Sequence, residues 1–394
     1  MVKRTLKTLV DPFRHRLYIP SHLAVCISDL FRRHSDLSSD IRHLNFAVAW
    51  LKHAQDVTND GGVSGVYSFS KGWRTSYPET TGYIIPTFLK LYQFTKDGEY
   101  LQRASRMADW LVSIQLESGA FQGEHIGETI RPIVFNTGQV LIGLVSIYKQ
   151  TGDERYKSSA IRAGNWLLDV QDTDGAWRKF TYNDIPHVYH TRVAWALLEL
   201  NNIASGAYLE SAVRNINWAL DNQLPNGWFK NNAFKQSNDP YLHNIAYAIR
   251  GILESAILLD NNDLLRSAVK PSEVLMRKFE INGSLPATCN ERWKNTQGNY
   301  SCLTGNAQMA VIWLRLFQVT NDGRFLNAAI KMSDYLKKLQ NLSSRNRGIN
   351  GGIKGSHPIW GKYQRFEYPN WAAKFFIDLI LLQEEIMSDL ERIL

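Results

Sequence analysis

The sequence predicts an all-α fold: one (α/α)6 barrel, a toroid of six inner and six outer helices. Three observations carry this. A Trp-to-Gln step of five residues recurs along the chain. Strongly apolar helical stretches alternate with amphipathic ones. Each apolar stretch follows a loop of about 15 to 25 residues.

The outer helices come first. Trp50 and Gln55, Trp110 and Gln115, Trp166 and Gln171, and Trp218 and Gln223 stand five apart; Leu275 with Glu280 and Tyr335 with Gln340 are degenerate copies. Upstream of each pair, apolar and small residues recur at three- and four-residue steps, the period of a one-sided helix. Asp97-Gly98, Gly152-Asp153 and Asp322-Gly323 supply turn signals at several starts. The inner helices begin near Glu79, Asn136, His190, His243, Thr304 and Pro369, spaced 57, 54, 53, 61 and 65 residues apart. Asn, Thr or an acidic residue in the first turn is expected to cap them. They are apolar on most faces and should be buried all round. Each helix pair buries its face only against neighbours, so ring closure is favoured. A linear solenoid would have periods of about 34 to 47 residues and short loops. The barrel is read as one domain, 39–394, with an N-terminal extension, 1–38, packed against it.

Composition narrows the class. Of 394 residues, 44% are hydrophobic and 12% aromatic, enough to build a core and too many for a disordered chain. No run is apolar and long enough to predict a transmembrane helix. Met1–Thr8 lacks the apolar core of a secretory signal, and a cytoplasmic setting is expected. Cys26, Cys289 and Cys302 lack metal-like spacing, and their odd number argues against a disulfide framework. The net charge of +8 comes without a Lys/Arg block, so no nucleic-acid partner is expected. No phosphate-binding glycine loop or serine-hydrolase elbow is present, and no cofactor or metal is expected. Oligomeric state is left open.

In such a barrel the inner helices run the same way, so six long loops meet at one end. Those loops carry thirteen basic and eight acidic residues, +5 of the chain's +8. Together with their tyrosines and tryptophans this suits an anionic sugar chain: rings stack on sugar C–H faces, and Arg forks a carboxylate. Trp177 and Trp228 have the alternative of packing between helices.

Four clusters carry candidate chemistry. Glu79, beside Trp73, Arg74 and Tyr77, is either a plain helix cap or a general acid/base at the barrel mouth. Asp184, His187, Tyr189 and His190 crowd one loop, where a neutral His or a tyrosinate could take a proton from a sugar carbon next to a carboxylate. Arg365, Glu367, Tyr368, Asn370 and Trp371 put an acid next to a phenol. Glu124, His125 and Glu128 form the fourth; a metal there is the weaker reading. The catalytic set expected is Glu79, Tyr189, His190, Glu367 and Tyr368. Substrate contacts are expected from Trp73, Arg74, Tyr77, Glu124, Arg131, Asn136, Lys179, Asp184, His187, His243, Arg292, Trp293, Arg365, Asn370 and Trp371.

Over about 39–388 the chain resembles the (α/α)-toroid carbohydrate-active enzymes, the six-hairpin glycosidases and related polysaccharide lyases. Glu367-Tyr368-Pro369 and Tyr189-His190-Thr191 are similar to stretches of the helical domain of glucuronyl C5-epimerases. That resemblance implies an active-site role for Glu367 and Tyr368. No Asp-x-Asp-Asp string of terpene cyclases and no lanthionine-cyclase zinc pattern is present. The expected function is modification of an acidic, uronic-acid-containing poly- or oligosaccharide by proton abstraction at C5, as an epimerase or lyase. Hydrolysis by paired carboxylates and non-catalytic glycan binding are the alternatives.

Overall fold

A computed structural model describes residues 12–31 and 37–393. Of the N-terminal extension expected over 1–38, residues 1–11 and 32–36 lie outside the described residues; so does Met1–Thr8. The described part of the extension contains helix α1 (Pro20–Leu30).

Six outer helices follow: α2 (Asp40–Asp56), α4 (Gly98–Ile114), α6 (Glu154–Asp169), α8 (Tyr208–Asp221), α10 (Asn262–Asn282) and α12 (Gly323–Leu339). The inner six are α3 (Pro78–Thr95), α5 (Val134–Thr151), α7 (Thr191–Asn201), α9 (Leu242–Leu258), α11 (Leu303–Thr320) and α13 (Asn370–Ile393). Each inner start lies within two residues of its sequence-based position. Neighbouring inner helices pack in order round the ring, and α13 returns to α3. Each of α3 to α11 is backed by the outer helix that follows it. α13 is backed by α2, so the first outer helix closes the ring. The fold is the (α/α)6 toroid.

The recurring glutamine has a structural job. Gln55, Gln115, Gln171 and Gln223 each donate through Nε2 to the carbonyl of a glycine in their own loop and to a backbone carbonyl on the next outer helix, at 2.8 to 3.4 Å. Gln340 does the same across the closure, to Gly351 at 2.8 Å and to His43 at 3.2 Å. An amide supplies the two donors and an acceptor this needs. Glu280, in the remaining copy, carries a carboxylate and has no proton to donate when ionised.

Side-chain caps are found mostly on the outer helices, of which α8 alone begins without one. Ser39, Asp97, Asp153, Asn261 and Asp322 cap outer helices with side-chain oxygens. The inner helices differ from the expectation: α3, α5, α7 and α9 begin without a side-chain cap, and α11 uses the Cys302 sulfur. Their first-turn residues are packed against neighbouring loops instead. The loop end also carries short strands that the all-α reading did not foresee. β1 (Val66–Ser68) pairs antiparallel with β2 (Gly72–Trp73) and with β5 (Glu367–Pro369). β3 (Ser301–Cys302) pairs with β4 (Ser356–His357). Long loops folded against one another satisfy buried backbone groups in this way.

The opposite end of the ring encloses a cavity of about 820 Å³ lined by charged groups that pair among themselves. Lys374 contacts Asp378 at 2.5 Å, and Glu254 bridges Arg250 at 2.7 Å and Arg315 at 2.9 Å. Among the described residues no helix is long and apolar enough to cross a membrane.

Candidate active site

A cleft of about 740 Å³ opens at the end where the inner helices begin. Glu79, in the first turn of α3, lies in its wall and accepts a hydrogen bond from the Tyr77 hydroxyl at 2.8 Å. Burial pushes the Glu79 carboxyl up to about 7, against the downward pull of the Tyr77 bond and the Arg192 charge. It is therefore half-protonated near neutrality. Tyr77 stacks on His125 at 5.0 Å and meets Trp371 edge-on at 6.3 Å. Burial also raises the carboxyls of Glu124 and Glu367.

Aromatic rings make up much of the remaining wall: Phe135, Tyr189, Phe234, His243, Tyr247 and Tyr363. His243 sits among Tyr363, Tyr247 and Phe234 at 4.9, 5.4 and 5.5 Å. Burial lowers its pKa to about 3, so it is neutral at pH 7. The Tyr189 phenol is pushed well up by burial and by the Glu79 charge. Glu79 at physiological pH is thus a far better proton carrier than either phenol or imidazole in the wall.

The cleft gathers Glu79, Tyr189 and Glu367 of the expected catalytic set. It also gathers Arg74, Tyr77, Glu124, Arg131, Asn136, His243 and Trp371 of the expected substrate contacts. The others are placed elsewhere. His190 is buried between Trp177 at 5.9 Å and Tyr189 at 5.1 Å, and neither ring nitrogen has a partner. Burial drives its pKa well down, and it does not line the cleft. Tyr368 faces the core beside Phe69 at 6.2 Å, because strand alternation turns it away from its neighbour Glu367. His187 is buried with Nε2 on the Tyr182 carbonyl at 2.8 Å. Trp73 packs on Trp50 at 5.0 Å and on Tyr67 at 5.4 Å. Trp293 is buried and donates to the Asn226 carbonyl at 3.2 Å. Asn370 ties Ser64 to Thr80 through Nδ2, bracing the start of α3 from the start of α13. Arg365 lies over the Phe366 ring at 5.3 Å. Lys179 and Arg292 are exposed away from the cleft. Asp184 stands outside the wall and holds Arg131.

The cleft is also less basic than the loops around it. Its wall has two arginines, Arg74 and Arg131, against four carboxylates, Glu79, Glu124, Glu128 and Glu367. Arg74 pairs with Glu128, and Arg131 with Asp184. Lys354 is buried on Asp29, and Arg178 is held by Asp172 and Asp174. The positive balance of the loop end is spent in such pairs or lies away from the cleft. The weaker metal reading of Glu124, His125 and Glu128 loses its ligands: the His125 Nδ1 contacts the Thr75 carbonyl at 3.0 Å, and Glu128 holds Arg74. Among the described residues no cluster of three His, Cys, Asp or Glu is placed to hold a metal.

Sequence reasoning missed Tyr83, Phe135, Phe234 and Tyr247; Tyr363 is one of the loop tyrosines but is not among the expected contacts. A signal existed for two of them. Tyr83 and Tyr247 lie four residues after Glu79 and His243, on the same helix face one turn deeper.

Comparison with known proteins gives two kinds of likeness. In sequence, the family model of the squalene-hopene cyclase C-terminal domain matches residues 78–253. The chain has this similarity although it carries no Asp-x-Asp-Asp string. An ent-copalyl diphosphate synthase from Streptomyces sp. (strain KO-3988) is 31% identical over 96 residues, 24% of this chain and 18% of that protein. In structure, the chain is similar to an unsaturated glucuronyl hydrolase specific for heparin. The TM-score is 0.69 at 14% identity, covering 88% of this chain and 97% of the other. A sugar epimerase from a ruminal bacterium gives 0.67 at 15%, covering 86% and 97%. The cellobiose 2-epimerase of Bacillus thermoamylovorans gives 0.66 at 16%, covering 90% and 97%. These likenesses show the toroid fold over nearly the whole length of those proteins.

Proposed function

We propose that the chain is an enzyme that acts on a carbohydrate in this cleft, with Glu79 as its proton-transfer group. The observation that carries this is the Glu79 carboxyl, held by Tyr77 in an aromatic wall and poised near pH 7. Toroids of the same architecture include a glucuronyl hydrolase and two sugar epimerases, which supports a sugar as substrate.

Hydrolysis of a glycosidic bond is the reaction the wall supports best. Glu79 in its acid form protonates the leaving oxygen, and Glu124 or Glu367 serves as the second carboxylate. The rings cover sugar C–H faces and stabilise positive charge developing on the sugar ring. The excess of carboxylates over arginines fits a neutral or weakly charged sugar. Proton abstraction at C5 of a uronic acid is the second reading. It is favoured by the rim arginines, whose carboxylate partners a uronate would replace on Arg74 or Arg131, with Glu79 in its base form. Cyclisation of an isoprenoid would need an apolar wall, and six charged side chains in the cleft stand against it.

The test is incubation with neutral and uronate-containing oligosaccharides in deuterated water. New reducing ends without unsaturation mark hydrolysis. Deuterium at C5 without cleavage marks epimerisation, and ultraviolet absorbance of an unsaturated uronate marks elimination. Glu79→Gln should lower the rate about a thousandfold. Unaltered sugar binding with no turnover in either protein would leave a glycan-binding module and sink the enzyme reading.

A further inference from the structure

We propose that α1 and residues 12–19 before it form a docking face for an anionic lipid bilayer. The helix is packed inside out. Its buried residues are His22, Val25 and Asp29. Leu23, Ile27 and Leu30, at helical spacing on the other side, are exposed at 44%, 39% and 66%. Soluble proteins ordinarily bury the leucines and expose the aspartate.

Specific contacts hold that orientation. Asp29 accepts from Lys354 and from the backbone N–H of Ile359 at 2.7 Å. His22 contacts the Tyr67 hydroxyl at 3.1 Å and stacks on Phe69 at 3.9 Å. The helix cannot turn its apolar side inward without leaving Lys354 buried and unpaired, a costly state. The outward apolar face is therefore a fixed feature.

The face is extended by its surroundings. Phe13 is 76% exposed and Tyr18 68%. Eight of the 17 exposed large apolar residues among the described residues fall between 13 and 41. The charge of the same region selects the occupant. Among the described residues 12–31 the charged side chains are Arg14, Arg16 and Asp29, and Asp29 is buried, so the exposed charge there is positive. Arg14 and Arg16 are exposed beside Phe13 and Tyr18. Exposed aromatic and aliphatic residues mixed with arginines fit the interface of a bilayer bearing negative headgroups, where apolar insertion and charge attraction add.

The experiment is co-sedimentation of the full chain with vesicles of phosphatidylcholine, alone or mixed with phosphatidylglycerol. Association with the mixed vesicles alone is expected, weakening as salt is added. The triple variant Leu23→Ser, Ile27→Ser, Leu30→Ser should lower partitioning at least about tenfold. So should the pair Arg14→Glu, Arg16→Glu, which alters only exposed charge and guards against misfolding of the first variant. Absence of association with the mixed vesicles would overturn the proposal, as would both variants binding like the parent. A dimer in gel filtration that the triple variant dissociates, without vesicle binding, would assign the face to a second copy of the chain and equally overturn it.

Discussion

Glu79 combines two demands that pull against each other. Its pKa of about 7 lies above the ordinary carboxyl value of 4.5, so the fold disfavours the charged form. Stability is then highest below the unfolded value, falls as pH rises from 4.5 towards 7, and levels off above. Glu79→Gln removes the ionisable group while keeping an oxygen for the Tyr77 hydroxyl. It should melt like the parent at pH 4 and be more stable at pH 8, by about 3 kcal/mol, while losing activity. Thermal melts across pH check this; equal pH profiles would show that Glu79 is not poised as described. Tyr77→Phe tests the partner. Its hydrogen bond favours the carboxylate, so its loss raises the Glu79 pKa. If the acid form catalyses, the alkaline limb of kcat/KM should move to higher pH, and if the base form does, the acidic limb should move up instead. The glutamate in the first turn of an apolar helix was legible in the sequence, as were Arg74, Tyr77, Glu124 and Glu367. His190, Tyr368 and Trp293 were not. A loop's residue order does not say which side of it faces the cleft, and all three turn into the core.

The helical elements were easier to read because their signal repeats. Six apolar stretches at similar spacing located the inner helix starts to within two residues. The Trp–Gln step marked the outer helices, although what the glutamine does emerged only from the packed ring. Gln171 shows it plainly. Nε2 donates to Gly175 and Ser211 carbonyls, both at 3.0 Å, and Oε1 accepts from the Ser211 hydroxyl at 2.7 Å. Replacing it with Ala removes these three bonds at a partly buried helix junction, leaving the Gly175 carbonyl with only the Asn215 Nδ2 donor at 2.9 Å and the Ser211 hydroxyl without its acceptor. Gln171→Ala should cost about 1 to 3 kcal/mol, read as a lower denaturation midpoint at an unchanged slope. Gly175→Ala should be at least as damaging: φ there is +90°, and an added Cβ would lie 2.4 Å from the Arg214 carbonyl. The short strands had no comparable signal. Two or three residues that pair only after their loops have met leave no period to detect.

At the scale of the whole molecule, the ring is closed by contacts between the chain's two ends. Gln340 meets His43 across 297 residues, and Lys337 meets Asp40 across the same distance. Trp50 donates to the Gly348 carbonyl at 2.9 Å. Gln171 makes chemically similar bonds across only 40 residues. In the native state the two glutamines therefore do nearly the same work, and Gln340→Ala should cost about as much as Gln171→Ala. Their kinetics should differ. Local pairs of helices can form while the ring is open, whereas closure must first bring distant segments together, and that loss of chain freedom comes late. Bonds made after the transition state affect unfolding, and bonds made before it affect folding. Gln340→Ala should accelerate unfolding roughly 5- to 150-fold, the factor that about 1 to 3 kcal/mol represents, and leave the main refolding rate unchanged. Gln171→Ala should slow refolding by a measurable part of its total effect. Stopped-flow unfolding and refolding of the two variants decides between this order of assembly and its reverse. A slowed refolding rate confined to Gln340→Ala would mean that the ends meet first and the ring fills in afterwards.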